Sequence, residues 1–141
     1  MLNVSKMADW LKEKTEWQET PAPLTDKNYL NMIIEGIERL FVDTGRSDLY
    51  NEDLYVQIEG TEDYGYDYDF PLDERRYIKI CAQMNFFSKV QTDVNNAFGY
   101  TTDALSVTHA DKPYENLDST LGKLEQERRI IYYKMVRYTL I

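Results

Sequence analysis

Thiols and imidazoles are almost missing from this chain of 141 residues: Cys81 is its only cysteine and His109 its only histidine. A single thiol excludes an internal disulfide framework and any Cys-rich zinc site, and it gives a secreted or extracytoplasmic life no support. No apolar run approaches the roughly 18 residues that a membrane helix needs. The opening MLNVSKMADWLKEK is broken by Lys6, Asp9 and Lys12, so neither a membrane span nor a signal-peptide core is expected. The six glycines are scattered at 36, 45, 60, 65, 99 and 122, which leaves no phosphate-cradling loop and no Gly/Ser linker. With no internal repeat either, residues 1 to 141 read as a single domain. A domain of this length buries roughly two thirds of its unfolded surface, enough for a core without staples. Positive charge is also short, at 16 Lys and Arg against 25 Asp and Glu and a net charge of −9. That argues against general affinity for nucleic acid, because such affinity comes from cations that release phosphate counterions.

The shortage is local. Residues 48 to 74 hold ten carboxylates and no Lys or Arg, while the rest of the chain has 16 basic residues against 15 acidic ones. The same window holds five of the twelve tyrosines, so it is too aromatic for a disordered acidic tail. Its pattern has period two: Leu54, Val56 and Ile58 alternate with Tyr55, Gln57 and Glu59. After GTED, Tyr64, Tyr66, Tyr68 and Phe70 alternate with Gly65, Asp67 and Asp69. The spacing predicts a β-hairpin over about 54 to 70, with one aromatic and aliphatic face and one acidic face. An isolated two-stranded ribbon is marginal in water, so the aromatic face should lie on helices or on another subunit.

Four helices are expected around it. The first spans about 4 to 16, with Val4, Met7, Leu11 and Trp10 inward and Asn3 or Ser5 as cap. PAPLT breaks it, and Thr25 caps the second helix, in which Leu30, Ile33, Ile34, Ile37, Leu40 and Phe41 fall at helical spacing before Gly45. A third runs from near Asp73 to Phe98. Its two adjoining stripes are Ile80, Met84, Phe87, Val94 and Phe98 beside Ala82, Phe86, Val90 and Ala97, and a stripe that wide marks the most buried helix. A long C-terminal helix over about 115 to 139 carries Leu117, Leu121, Leu124, Arg128, Ile131, Met135 and Tyr138, a heptad seam with one charged member. This seam suits either a bundle interior or a neighbouring chain. The expected fold is therefore mainly α: a four-helix bundle-like domain with a β-hairpin inserted between helices 2 and 3.

Chemistry-bearing sets are scarce. Cys81 sits among apolar helical positions with no histidine near it in sequence, which makes it a structural thiol. His109 and Asp111 form an HxD pair with no second histidine to complete a metal site. Asp63, Asp67 and Asp69 offer oxygen ligands at short spacing but lack the acid, glycine and distal glutamate order of an EF-hand. No catalytic, cofactor-binding or metal-ligating residue is assigned, and an enzyme is not expected. From Gly122 onward, Lys123, Arg128, Arg129, Lys134 and Arg137 outnumber Glu125 and Glu127 and interleave with Tyr132, Tyr133 and Tyr138. This is either a solvated helical face or a docking surface.

RLFVDTGR at 39 to 46, FFSKVQTDVN at 86 to 95, GYTTDALSVTHADKPY at 99 to 114 and LEQERRIIYYKMVRY at 124 to 138, after a short N-terminal helix, resemble the small head-tail connector proteins of tailed bacteriophages, also called adaptor or head-completion proteins. The resemblance implies a structural protein of the virion neck, assembled in the host bacterial cytoplasm. In such families a ring of copies sits under the portal protein, extends the DNA channel and offers a platform to the next neck or tail-completion protein. DNA would pass without sequence-specific binding, and no membrane or cofactor is involved. A ring needs two different patches that meet. Tyr64, Tyr66, Asp67, Tyr68 and Asp69 on the hairpin, and Arg128, Arg129, Tyr132, Arg137 and Tyr138 on the last helix, are the expected pair. The alternative from another class is an acidic DNA mimic or regulatory binding protein, which should spread its carboxylates over one long surface rather than gather them in one insertion.

Overall fold

Phe41 lies at the centre of six aromatic rings that join the hairpin to the helices. Its ring centroid stands 5.5 to 6.2 Å from those of Tyr50, Tyr66, Tyr68 and Phe70, and Tyr55 meets Tyr66 edge-on at 4.7 Å. The computed structural model describes residues 1–98 and 114–139, with side chains for 1–97 and 114–136. In chain order these form β1 (Leu2–Asn3), α1 (Val4–Lys14), α2 (Asp26–Asp43), short 3-10 turns at Ser47–Leu49 and Glu52–Leu54, β2 (Tyr55–Gln57), β3 (Tyr64–Tyr66), α3 (Leu72–Phe98) and α4 (Leu117–Thr139). The chain is mainly helical, with the hairpin inserted between α2 and α3 as its alternation implies.

Local signals fix the helix ends. The Asn3 side chain accepts the Lys6 N–H at 2.9 Å and caps α1, which closes two residues earlier than expected. Thr25 and Asn28 form a reciprocal capping box at the start of α2. At its end Gly45 adopts φ +71°, and the N–H groups of Arg46 and Gly45 bond the carbonyls of Phe41 at 2.7 Å and Val42 at 3.1 Å. That is a Schellman closure, which a left-handed residue makes possible.

α3 is the central helix, packed on α2, α4 and α1. It buries Tyr77, Ile78, Ile80, Cys81, Ala82, Phe86, Phe87, Val90 and Val94. Met84 is half-buried and Ala97 is exposed, so the second stripe ends before Ala97; the Phe98 side chain lies outside the described residues. The α4 seam turns toward α3 of the same chain, with Leu117, Leu124 and Met135 buried and Leu121, Arg128 and Ile131 half-buried. That settles the choice the heptad left open.

The sheet differs from expectation in two ways. It has three strands in the order β1-β3-β2, because Leu2 and Asn3 pair antiparallel with Tyr66 and Gly65. A Cβ at Gly65 would meet the Met1 sulfur at 2.7 Å, so the Met1 side chain would have to move aside to admit one. The inward column of β2 is also Tyr55 rather than Val56. Tyr55 stands opposite fully buried Tyr66, whereas Val56 pairs with Gly65 and is exposed. Both columns of this strand carry an apolar residue, and ring packing on Tyr66 outweighs an aliphatic contact.

Candidate interaction surfaces

Because the hairpin spends its aromatic face on α2, its outer face is left to the carboxylates. Seven of the ten acids of the window are exposed: Asp48, Glu52, Asp53, Glu59, Glu62, Asp67 and Asp69. Asp63 is half-buried, accepting from Asn3 Nδ2 at 3.2 Å. Glu74 takes Arg46 Nη2 at 2.6 Å, and the same guanidinium donates to the Tyr68 hydroxyl at 3.3 Å and lies over the Phe41 ring at 5.4 Å. Arg46 thereby ties the hairpin base to α3. Asp69, with its side chain 96% exposed, receives the ammonium of Met1 at 2.6 Å, which holds its carboxyl below the ordinary range. Among the described residues no three His, Cys, Asp or Glu side chains converge on a common point.

The hairpin residues expected to meet a partner do not share one environment. Tyr64 is half exposed and Asp67 and Asp69 face solvent, so these three lie on the surface. Tyr68 is half-buried beneath Arg46. Tyr66 belongs to the interior: it is fully buried, and its hydroxyl accepts the Asn51 N–H at 3.3 Å. Its place in the middle strand, opposite Phe41, removes it from any docking face.

The last helix departs further from expectation. Arg128 is only 15% exposed and points inward, forming a two-point fork to Glu125 at 2.9 and 2.6 Å. It also donates to the Tyr77 hydroxyl at 2.8 Å and lies 3.6 Å from Asp43, to which Tyr77 donates in turn. This places Arg128 in an internal tie between α4, α3 and α2, not on a docking surface. The hydrogen bonds from Arg128 are the largest cause of the fall in the Glu125 pKa to about 2. Burial drives the Tyr77 phenol up, and the Cys81 thiol up to about 12, so both are neutral core groups.

Arg129 remains outside, 67% exposed with one bond to Glu125 at 3.2 Å. Together with Tyr132, Tyr133, Arg128 and Asp43 it lines a shallow cleft of about 320 Å³. Arg137 and Tyr138 lie outside the described side chains, as do His109, Asp111 and the connection over 99–113.

A second basic surface escapes sequence reasoning. Between α1 and the start of α3 runs a groove of about 380 Å³ lined by Lys6, Trp10, Leu72, Arg75, Arg76 and Lys79, among others. Four of its nine lining residues are cations and none is a carboxylate. The Lys79 ammonium sits 4.7 Å from the Trp10 ring centroid, a cation–π contact. Nearly seventy residues separate Lys6 from Arg75, so only the packing of α1 on α3 reveals the cluster. The local signal was the RRYIK run opening α3.

Comparison with protein-family models, curated proteins and solved structures finds no match to this chain. Among the described residues no helix is long and apolar enough to cross a membrane.

Proposed function

We propose that this chain is a structural protein of a tailed-phage or prophage neck, forming an oligomeric ring that joins the portal to the tail and extends the DNA channel. The observation that carries the proposal is the segregation of charge. Seven exposed carboxylates lie on the hairpin and the two short turns that lead into it, four of them on the hairpin itself, whose inner face packs its rings on α2, while four cations gather on the helical body. A ring closes through heterologous contacts, in which one patch meets a different patch on the next copy. A projecting acidic element on a helical body supplies one such patch. Its carboxylates also suit the wall of a DNA passage, since like charge keeps a polyanion from adhering. The portal and a downstream neck or tail-completion protein are the further partners, with the protein residing in the virion after assembly in the host cytoplasm.

Size-exclusion chromatography with light scattering, followed by imaging of the chain mixed with the portal protein of the same genome, tests this. A ring, alone or seated on the portal, is the expected result. A monomer that ignores the portal and instead inhibits a nucleic-acid-binding protein would replace it with the acidic-mimic alternative.

A further inference from the structure

We propose that the groove between α1 and α3 is the receptor for the acidic hairpin of a second copy of this chain. The inference rests on the ring reading and names the second patch that the ring requires. In a chain of net charge −9, a groove with four cations and no lining carboxylate is the marked exception. Lys79 lies over the Trp10 ring, and the other three cations are little engaged. The side chains of Lys6 and Arg75 form no ion pair or hydrogen bond among the described residues, and Arg76 has only a long contact of 3.8 Å to Asp73. Exposed pairs of that kind contribute little, so the cations remain available.

No hairpin residue of the same chain lines this groove, although the hairpin borders it through Asn3, which is one of the lining residues. The Tyr64 N–H bonds Ser5 Oγ at 2.8 Å, and Asp63 bonds Asn3. Ser5 itself does not line the groove. Asp69 shares a neighbouring cleft with Arg75, but it is engaged by the Met1 ammonium. Glu59, Glu62 and Asp67 are exposed, and their side chains have no partner among the described residues. Apolar area matches as well: Leu72 is 55% exposed on the groove side, and Tyr64 and Val56 are exposed on the hairpin. A DNA backbone is the less suitable occupant. A stiff duplex lying along the groove would be carried past the carboxylates of the adjoining hairpin, whereas a short acidic tip need meet only the cations.

Three purified full-length proteins test the assignment by light scattering at low and high salt: K6E/R75E/R76E in the groove, E59K/E62K/D67K on the hairpin, and both sets combined. Each single set should weaken self-association by roughly tenfold or more, and the combined set, in which the charges are exchanged, should restore it. Circular dichroism and melting of each variant separate lost assembly from lost folding, and recovery in the combined protein excludes misfolding. Wild type that associates while the groove set has no effect, or a combined set that fails to recover, overturns the groove alone. Wild type that stays monomeric by itself and with portal overturns the ring reading and the groove together. Groove variants that lose retention of duplex DNA but still self-associate assign the cations to phosphate instead.

Discussion

The hairpin and α4 are the two tyrosine-rich, charged parts of this chain, and they spend their side chains in opposite ways. The hairpin turns its rings inward onto Phe41 and leaves its carboxylates in water. α4 turns its central arginine inward, into Glu125, Tyr77 and Asp43, and leaves Ile130 and Tyr133 exposed. An element anchored by apolar area keeps its charges free for a partner. One anchored by charge has fewer left to offer. For this reason α4, basic in sequence, is a weaker docking candidate than the four cations between α1 and α3.

Removing the aromatic anchor should have the largest effect. Tyr66→Ala empties a fully buried ring site in the middle strand and is expected to cost about 3 to 5 kcal/mol, read as a lowered midpoint in urea unfolding. A midpoint within error of wild type would show that the hairpin is held by something other than its rings.

Arg128→Ala comes next, at about 2 kcal/mol, because it strips the two charge-assisted bonds from half-buried Glu125 and leaves half-buried Asp43 without its nearby guanidinium. Hydrogen exchange should locate the loss in α4 while the hairpin amides stay protected. Arg128→Lys should not restore stability, since an ammonium cannot reproduce the two-point fork.

Acid tests the same tie without mutation. The folded-state pKa of Glu125 is lowered to about 2 from 4.5, so its contribution is complete above the unfolded value and fades as pH falls from about 4.5 toward 2. Protection of α4 should decline across that window in wild type. In Glu125→Gln that part of the decline should be absent; an unchanged profile would assign the acid sensitivity to other carboxylates.

The smallest expected effect is Gly45→Ala, about 1 kcal/mol in thermal melting. No atom lies within 4 Å of the added Cβ, so the cost is that of φ +71° alone, and Gly45→Asn should recover part of it.

Features confined to one turn or one stripe were legible in the sequence. Thr25 and Gly45 mark the two ends of α2 because a cap and a left-handed stop each act within a few residues. The breadth of the α3 stripes identified the central helix for the same reason. Features that depend on what packs above them were not. Leu2–Asn3 is too short a strand to show periodicity, and its partner lies more than sixty residues away. Arg128 occupies a seam position, which hinted at burial, but its partners Asp43 and Tyr77 come from two other helices. The alternation put Tyr66 on the inward aromatic face, where it lies, but did not show that Phe41, Tyr50, Tyr55 and Phe70 bury it completely and so remove it from the docking residues expected on the hairpin.

The middle position of β3 also bears on when the acidic surface comes into being. Its pairing with β2 closes a short loop, but its pairing with Leu2 and Asn3 spans more than sixty residues. Contacts of such long sequence separation form late, because loop closure is unfavourable until neighbouring packing compensates it. Pulse-labelled hydrogen exchange should therefore find the Tyr64 to Tyr66 amides protected after those of α2. A chain that folds in this order completes its acidic face only after its helical body, so the exposed carboxylates take up their final arrangement last.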